Sequence, residues 1–250
     1  MKTAIITGAS SGLGKEFAKQ LNENFKEIDE FILIARRKEK LEEISKSLEG
    51  KKVVILPLDL SKDDEYLKLA DYLAENKPNV YMLINNAGLG FWGSVKDLEL
   101  SKQINSCDVN VKGLSAVTHI ALPYMQKGSK IIFISSIASF VPNAFMTVYC
   151  STKAYVTSYA RALRYELKKE KISVTVACPG PMATEFIEVG KVESETFKKL
   201  PYCNVEKVVK GTLKKAKKGG FIYTPKLFYK FYRLLAKILP LAWLMPLSKT

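Results

Sequence analysis

A tyrosine and a lysine stand four residues apart in the stretch VYCSTKAYVTSYARALRYEL, as Tyr149 and Lys153. The stretch predicts a helix over Val148–Lys169, and residues at this spacing share one face of a helix. A free tyrosine has a pKa of about 10, and an ammonium group one turn away lowers it by stabilising the phenolate. Tyr149 is therefore a candidate proton donor, although the same spacing is ordinary in surface pairs that do no chemistry.

Three glycines, Gly8, Gly12 and Gly14, lie in the stretch TGASSGLG between a predicted strand and a predicted helix. Glycines at such a junction let the backbone approach a pyrophosphate, which rests on the N–H groups at the start of the helix. The spacing is G-x-x-x-G-x-G rather than the commoner G-x-G-x-x-G. The stretch favours a dinucleotide-binding turn, with an ordinary tight turn as the alternative.

Two arginines, Arg36 and Arg37, follow the second predicted strand, where an NAD site normally carries a carboxylate for the ribose hydroxyls. Guanidinium groups match a phosphate in geometry and charge, so this pair favours the 2′-phosphate of NADP over the alternative of two surface charges. Asp59, after the third predicted strand, could accept a hydrogen bond from the adenine amino group. It could equally be an acid at a helix N-terminus.

The elements that must position these residues are short β-branched runs alternating with longer helical patterns. The alternation predicts an α/β fold, a single doubly wound Rossmann-type domain with a seven-stranded parallel sheet over residues 1–224. An amphipathic helical tail follows over residues 225–250. The predicted strands are Thr3–Thr7, Glu30–Ala35, Lys52–Pro57, Val80–Asn85, Lys130–Ser135, Ser173–Cys178 and Phe221–Tyr223. The predicted helices are Gly12–Asn24, Lys38–Leu48, Asp63–Asn76, Ser106–Gln126, Val148–Lys169 and Val205–Lys217.

Ligands of such a sheet bind beyond the carboxyl ends of its strands, and small or polar residues stand at three of those ends. The fourth strand ends in NNAG, the fifth in a serine pair that contains Ser136, and the sixth in CPGPMAT. In that last segment Pro179 and Gly180 force a turn, and Thr184 opens the next helix.

The composition excludes several other classes of protein. Apolar residues make up 47% of the 250 residues, which fits a packed globular chain. The cysteines show no C-x-x-C spacing and the lone histidine is His119, so we expect reduced thiols, no disulfide framework and no metal site. We expect no leader sequence, see no apolar run long enough to span a membrane, and expect a cytoplasmic protein.

The motifs together follow the order and spacing of one family. TGASSGLG, NNAG, Asn110 within DVNV, Ser136, the Tyr149-x-x-x-Lys153 pair and PGPMAT resemble the short-chain dehydrogenase/reductase family over about residues 2–190. In ARRKEKL and PGPMATEF the chain looks most similar to lipid- and steroid-type ketoreductases and to bacterial reductases like them. The helices Ser106–Gln126 and Val148–Lys169 commonly pair subunits in this family, which implies a homodimer or homotetramer.

The resemblance implies a role for each residue of the catalytic set, Asn110, Ser136, Tyr149 and Lys153. Tyr149 would donate a proton in carbonyl reduction or accept one in alcohol oxidation, and Ser136 would hold the substrate oxygen. Lys153 would also bind the nicotinamide ribose, and Asn110 would hold a water that links Lys153 to solvent. The expected NADP(H) site comprises Gly8, Ser10, Ser11, Gly12, Leu13, Gly14, Arg36, Arg37, Asp59, Leu60, Asn86, Ala87, Gly88, Tyr149, Lys153, Pro179, Gly180 and Thr184.

The segments around this site contain many apolar residues and few charges, which favours a small lipophilic ketone or acyl substrate over a sugar. We expect the segment 184–200 to form a mobile lid over it. The candidate pocket residues are Phe91, Trp92, Phe140, Phe145, Met146, Met182 and Phe186.

The net charge of +14 is concentrated at one end, because residues 207–250 contain eleven Lys or Arg and no Asp or Glu. In the tail, Phe228, Phe231, Tyr232, Leu235 and Ile238 recur at helical spacing. This pattern leaves two alternatives open, namely an anionic membrane surface and packing on the protein itself or on a second subunit. A nucleic-acid partner is disfavoured, because no recognition motif accompanies the charge.

The sequence therefore predicts an NADPH-dependent reductase of a lipophilic carbonyl compound, cytoplasmic or peripheral on a membrane. A non-catalytic dinucleotide-binding module that docks on membranes and senses redox state is one alternative. An NAD-linked alcohol dehydrogenase is the other.

Overall fold

A computed structural model describes residues 1–190 and 200–248. Its strands are β1 (Lys2–Thr7), β2 (Glu30–Ile34), β3 (Lys52–Leu56), β4 (Asn79–Asn85), β5 (Lys130–Ile134), β6 (Ser173–Ala177) and β7 (Ile222–Tyr223). They form one sheet in the order β3-β2-β1-β4-β5-β6-β7, and every neighbouring pair is parallel. The predicted fold class is confirmed, and each predicted strand lies within one residue of its observed bounds.

Helices cover both faces of the sheet. Along β1, Ile6 packs in one large apolar core and its neighbour Ile5 in another, because successive side chains of a strand point to opposite faces. Strands buried on both faces read as continuous apolar runs, which is why they were visible in the sequence. The helices are α1 (Gly12–Asn24), α2 (Lys38–Lys46), α3 (Asp63–Asn76), α4 (Leu100–Cys107), α5 (Leu114–Ala121), α6 (Thr147–Glu166), α7 (Glu185–Gly190), α8 (Val205–Lys217), α9 (Leu227–Ile238) and α10 (Leu241–Leu244).

The predicted helix Ser106–Gln126 is wrong in its start and in its continuity. Helix α4 begins six residues earlier, and its N-cap Glu99 makes no side-chain capping bond, so its sequence carries no start signal. A π-helical turn over Asp108–Gly113 separates α4 from α5. A Cβ at Gly113 would lie 2.3 Å from the Leu60 carbonyl oxygen, so this turn packs directly on the segment that follows β3.

The strand order reverses between β1 and β4, and the ends of these two strands are bonded together. The Thr7 hydroxyl oxygen accepts hydrogen bonds from the backbone N–H groups of Asn86 and Ala87, both at 3.0 Å. The Asn86 side-chain amide donates to the carbonyl oxygens of Thr7 and Gly8, at 3.0 and 3.1 Å. The crevice at this reversal is therefore held rigidly, and it is where ligands of such sheets bind.

One face of the tail helix α9 packs on the body of the protein. Tyr229 is fully buried, and its hydroxyl donates to the Pro201 carbonyl oxygen at 2.9 Å. Arg233 donates to the Thr224 hydroxyl, also at 2.9 Å. Among the described residues, no helix has both the length and the apolar character needed to cross a bilayer.

Candidate active site

A cavity of about 660 Å³ opens at the carboxyl edge of the sheet. It brings together almost every residue that the sequence assigned to the cofactor. Gly14 is the exception, since it faces the turn rather than the cavity. The predicted residues that line it are Gly8, Ser10, Ser11, Gly12, Leu13, Arg36, Arg37, Asp59, Leu60, Asn86, Ala87, Gly88, Tyr149, Lys153, Pro179, Gly180 and Thr184.

The glycine turn leaves no room for side chains. Gly8 has a φ of +63°, and a Cβ there would lie 2.9 Å from the Ala87 Cα. A Cβ at Gly14 would lie 2.1 Å from the Gly8 carbonyl oxygen, so Gly14 lets the start of α1 pack against the turn. The resulting bare backbone at a helix N-terminus fits the pyrophosphate of a dinucleotide.

The two arginines occupy different environments. Arg36 is exposed and lines the cavity. Arg37 donates to the Ser10 hydroxyl at 3.1 Å and pairs with the Glu185 carboxylate at 2.7 Å. Glu185 is the first residue of α7, so Arg37 connects the rim of the predicted phosphate site to this helix.

Asp59 lines the cavity, but its carboxylate is already engaged within its own turn. It accepts hydrogen bonds from the Ser61 backbone N–H at 3.1 Å and from the Ser61 hydroxyl at 2.8 Å. Asp59 therefore bonds within the turn that precedes α3, which begins at Asp63. A contact with adenine stays a prediction.

Three of the four residues of the predicted catalytic set, Ser136, Tyr149 and Lys153, line the cavity together. Ser136 lies two residues after the end of β5, and its hydroxyl accepts from the Ala138 N–H at 3.1 Å, which fixes its rotamer. Its hydroxyl also interacts with the Tyr149 hydroxyl and lowers the pKa of that phenol. On the next turn of α6, the Lys153 ammonium is buried and donates to the Ile134 carbonyl oxygen at 2.9 Å.

Burial dominates the ionisation of this group. It raises the pKa of Tyr149 well above that of free tyrosine, and the hydrogen bond with Ser136 offsets this only in part. Burial also lowers the pKa of Lys153, to about 8. The lowered tyrosine pKa expected from the spacing with Lys153 is therefore wrong for this structure, because the spacing does not reveal desolvation. The site holds a neutral phenol, ready to donate, beside an ammonium that loses its proton near pH 8.

Asn110 does not line the cavity. Its side-chain oxygen accepts from the Leu89 N–H at 2.7 Å, while its amide donates to the Leu89 carbonyl at 2.7 Å and to the Thr152 hydroxyl at 3.0 Å. These bonds join the π-helical turn to the segment after β4 and to α6. Asn110 thus positions the loop beside Lys153, and the implied water-holding role stays a prediction.

The apolar part of the cavity differs from the predicted set of seven residues. Met146, Met182 and Phe186 line it, whereas Phe91, Trp92, Phe140 and Phe145, all in the described part of the chain, do not. Trp92 packs behind Tyr149 and Met146, and the Phe140 ring lies 6.3 Å from the Tyr232 ring. The tail supplies the missing wall through Phe228, Tyr229, Phe231, Tyr232, Leu235 and Leu244.

The sequence predicts the helical spacing of the tail but not the surface on which it packs, since periodicity does not say which element a helix face covers. The sequence-based prediction also missed two local features. A Cβ at Gly90 would lie 2.5 Å from the Tyr149 ring, so this glycine lets the segment after β4 pass close to the proton donor. Asn143 lines the cavity, and its buried side-chain oxygen accepts no hydrogen bond from the described residues.

The predicted lid is only partly described. Helix α7 begins one residue after Thr184 and places Phe186 against the Tyr149 ring, with centroids 5.4 Å apart. Residues 191–199 of the predicted lid lie outside the described residues. Among the described residues, no cluster of His, Cys, Asp or Glu could hold a metal ion.

Comparison with known proteins agrees with this geometry. The family model described as short chain dehydrogenase matches residues 2–193. An NADP-dependent 3-hydroxy acid dehydrogenase from Schizosaccharomyces pombe is 38% identical over 193 residues, which cover 74% of this chain and 73% of the relative.

Two solved structures share the fold. A short-chain dehydrogenase from Sphingobium yanoikuyae in complex with NADPH superposes with a TM-score of 0.83 at 23% identity, covering 95% of this chain and 94% of the other. A short chain dehydrogenase/reductase from Burkholderia phymatum in complex with NAD gives a TM-score of 0.81 at 21% identity, covering 100% and 95%.

Proposed function

Because the chain belongs to the short-chain dehydrogenase family, and so is an oxidoreductase of CH–OH or C=O groups that uses a nicotinamide dinucleotide, we propose a narrower activity. The protein reduces the carbonyl of a lipophilic ketone or acyl compound with NADPH, and Tyr149 donates the proton. One observation carries this proposal. A single cavity joins the glycine turn and the arginine pair to an apolar chamber, and Tyr149 lies on its wall.

The ionisation of Tyr149 is compatible with proton donation in a reduction near neutral pH, because the phenol carries its proton there. A reductase must protonate the carbonyl oxygen, and burial keeps the Tyr149 phenol in its neutral, donating form by raising its pKa. The Ser136 hydroxyl, beside the Tyr149 hydroxyl, can donate a hydrogen bond to the carbonyl oxygen of the substrate and hold it in position. The bound cofactor supplies the hydride for the carbonyl carbon.

The arginines support NADPH as the cofactor. Arg36 and Arg37 stand where an NAD site would carry a carboxylate, and both line the cavity. The Schizosaccharomyces pombe relative is named as NADP-dependent. The Burkholderia phymatum neighbour holds NAD, so fold alone does not select the cofactor.

The apolar chamber supports a lipophilic substrate. Its wall combines Met146, Met182 and Phe186 with aromatic residues of α9. Such a surface favours an apolar body and leaves few hydrogen-bonding groups for the hydroxyls of a sugar.

The test measures oxidation of NADPH and of NADH with a panel of aliphatic, aromatic and steroid-like ketones. Short sugars serve as control substrates. We expect turnover with apolar ketones, at least tenfold higher kcat/KM with NADPH, and loss of most of that preference in Arg36→Ala/Arg37→Ala. The pair Lys19→Ala/Lys46→Ala, exposed lysines outside the cavity lining, serves as the charge-matched control.

Two results would contradict the proposal. A preference for NADH that survives the arginine substitutions would favour an NAD-linked alcohol dehydrogenase. Tight NADPH binding without turnover of any carbonyl compound or alcohol would favour the redox-sensing module.

A further inference from the structure

One face of α9 exposes large apolar side chains to solvent. Leu227, Phe231, Leu234 and Ile238 are 80, 60, 52 and 68% exposed, at successive spacings of four, three and four residues. This spacing places all four side chains in one stripe along the helix. Trp243 in α10, 67% exposed, adds an aromatic ring. A contiguous apolar patch of this kind marks a surface that another molecule covers.

Basic side chains flank the stripe. Lys226, Lys230 and Lys237 are exposed, and none of them forms an ion pair within residues 1–190 and 200–248. No Asp or Glu occurs anywhere between residues 207 and 250. The patch therefore presents uncompensated positive charge beside apolar surface.

The cavity opens at the same face. Phe228 and Phe231 are 55 and 60% exposed and also line the cavity, whereas Tyr232 and Leu235 line it from deeper positions. One edge of α9 thus forms the wall of the chamber, while the adjoining edge forms the exposed stripe.

We propose that the exposed face of α9 and α10 docks on a bilayer surface that contains anionic phospholipid. An amphipathic helix with lysines beside a stripe of Leu, Ile and Phe inserts its apolar face at the boundary between headgroups and acyl chains. Trp243 suits the headgroup level. The lysines are attracted to the negative surface potential of an anionic leaflet. If the proposed reductase activity holds, the opening at Phe228 and Phe231 lets a lipophilic substrate enter from the bilayer.

Charge argues against a second copy of this chain as the occupant. A two-fold contact would place the same patch on both partners. Lys226, Lys230 and Lys237 of one copy would then face the same lysines of the other, with no acidic residue in the segment to compensate the charge. An anionic lipid surface complements both the charge and the apolar stripe.

The primary test is co-sedimentation of the full chain with phosphatidylcholine vesicles, with and without a quarter of phosphatidylglycerol. We expect at least tenfold tighter binding to the anionic vesicles, and loss of that advantage at high salt because exposed charges are screened. No binding to either vesicle, or equal binding to both, overturns the proposal.

Matched variants locate the contact. Leu234→Glu should lower binding at least fivefold, while Leu67→Glu, at a helical leucine of similar exposure (55%), should not change it. Lys230→Glu/Lys237→Glu should lower binding about tenfold or more, compared with Lys19→Glu/Lys168→Glu, which changes the net charge equally at other exposed lysines. Equal losses in the variants and their controls would contradict a specific face.

Two further measurements distinguish a lipid surface from other partners of this face. Light scattering that shows a dimer converted to monomer by Leu234→Glu, without vesicle binding by the parent protein, would assign the face to a second subunit. Binding of a single-stranded oligonucleotide in place of vesicles would assign it to nucleic acid. Sedimentation needs no turnover, so it can fail or succeed independently of the proposed activity.

Discussion

Tyr149 is a weaker acid in this site than in water, because burial penalises the phenolate more than the bond with Ser136 stabilises it. The neutral phenol is the form that a reductase needs before each turnover. The phenolate left after proton transfer then needs a positive charge nearby, and the Lys153 ammonium, 5.7 Å from the centre of the ring, can supply it. The ionisation of Lys153 should therefore control the rate.

The pH profile of the reduction should follow Lys153. Its pKa is lowered to about 8, so the ammonium is mostly charged at pH 7 and is lost as the pH rises through 8. We expect kcat/KM for NADPH, which reports the free enzyme, to be flat below this value and to fall about tenfold per pH unit above it. Lys153→Arg should move the fall to higher pH, since a guanidinium keeps its charge. A flat profile from pH 7 to 9.5 in the parent protein would contradict this role.

The ion pair between Arg37 and Glu185 should compete with the 2′-phosphate of NADPH. Both side chains are about half exposed, and the guanidinium that the phosphate needs already pairs with the carboxylate at 2.7 Å. Glu185→Gln should therefore tighten NADPH binding about two- to fivefold and leave NADH binding unchanged. The expected effect is small because exposed ion pairs contribute little free energy.

Glu188→Gln, at an exposed position of the same helix, is the control for that change. Dissociation constants from titration of cofactor fluorescence give the answer. Weaker NADPH binding in Glu185→Gln would mean that Glu185 instead orients Arg37 toward the phosphate.

At the scale of elements, α9 is anchored by one aromatic side chain. Tyr229 is fully buried, and its ring packs so closely on Gly180 that a Cβ there would approach it to 2.3 Å. Gly180 also belongs to the segment after β6 that lines the cavity. The anchor therefore connects the tail to the substrate chamber.

Tyr229→Ala should cost about 3–5 kcal/mol in the free energy of unfolding, because it empties a large buried site. It should also raise KM for the ketone by releasing the wall that α9 supplies, with little change in NADPH affinity. Tyr165→Ala removes the same type of side chain from a position that is 81% exposed, and should stay within about 0.5 kcal/mol of the parent. Urea denaturation and steady-state kinetics measure both effects. An unchanged KM in a folded Tyr229→Ala protein would contradict the tail's role in the chamber.

The elements that the sequence predicts well are those whose signals are local. The five inner strands are largely buried apolar runs, the half-buried edge strands β3 and β7 are short apolar runs, and α1, α3 and α8 begin and end as predicted. The start of α4 has no capping side chain, and the π-helical turn packs against a segment at Leu60 that is distant in the chain, so neither is visible in the sequence. The contribution of α9 to the cavity is likewise a matter of packing.

At the scale of the whole molecule, the cofactor residues come together because parallel strands end at one edge. Residues as distant in the chain as Gly8, Asn86, Ser136 and Gly180 line a single cavity. Motif order therefore predicts their assembly, whereas the pKa of Tyr149 depends on how deeply that assembly is buried. The homodimer or homotetramer implied by the family stays a prediction.

The central claim is that Tyr149 donates the proton in NADPH-dependent carbonyl reduction, and Tyr149→Phe tests it most directly. The phenyl ring preserves the packing against Phe186 and removes only the hydroxyl. Single-turnover oxidation of bound NADPH by an apolar ketone should slow at least a hundredfold, while the NADPH dissociation constant changes less than about threefold. A Tyr149→Phe protein that binds NADPH and reduces the ketone at the parent rate would contradict the account.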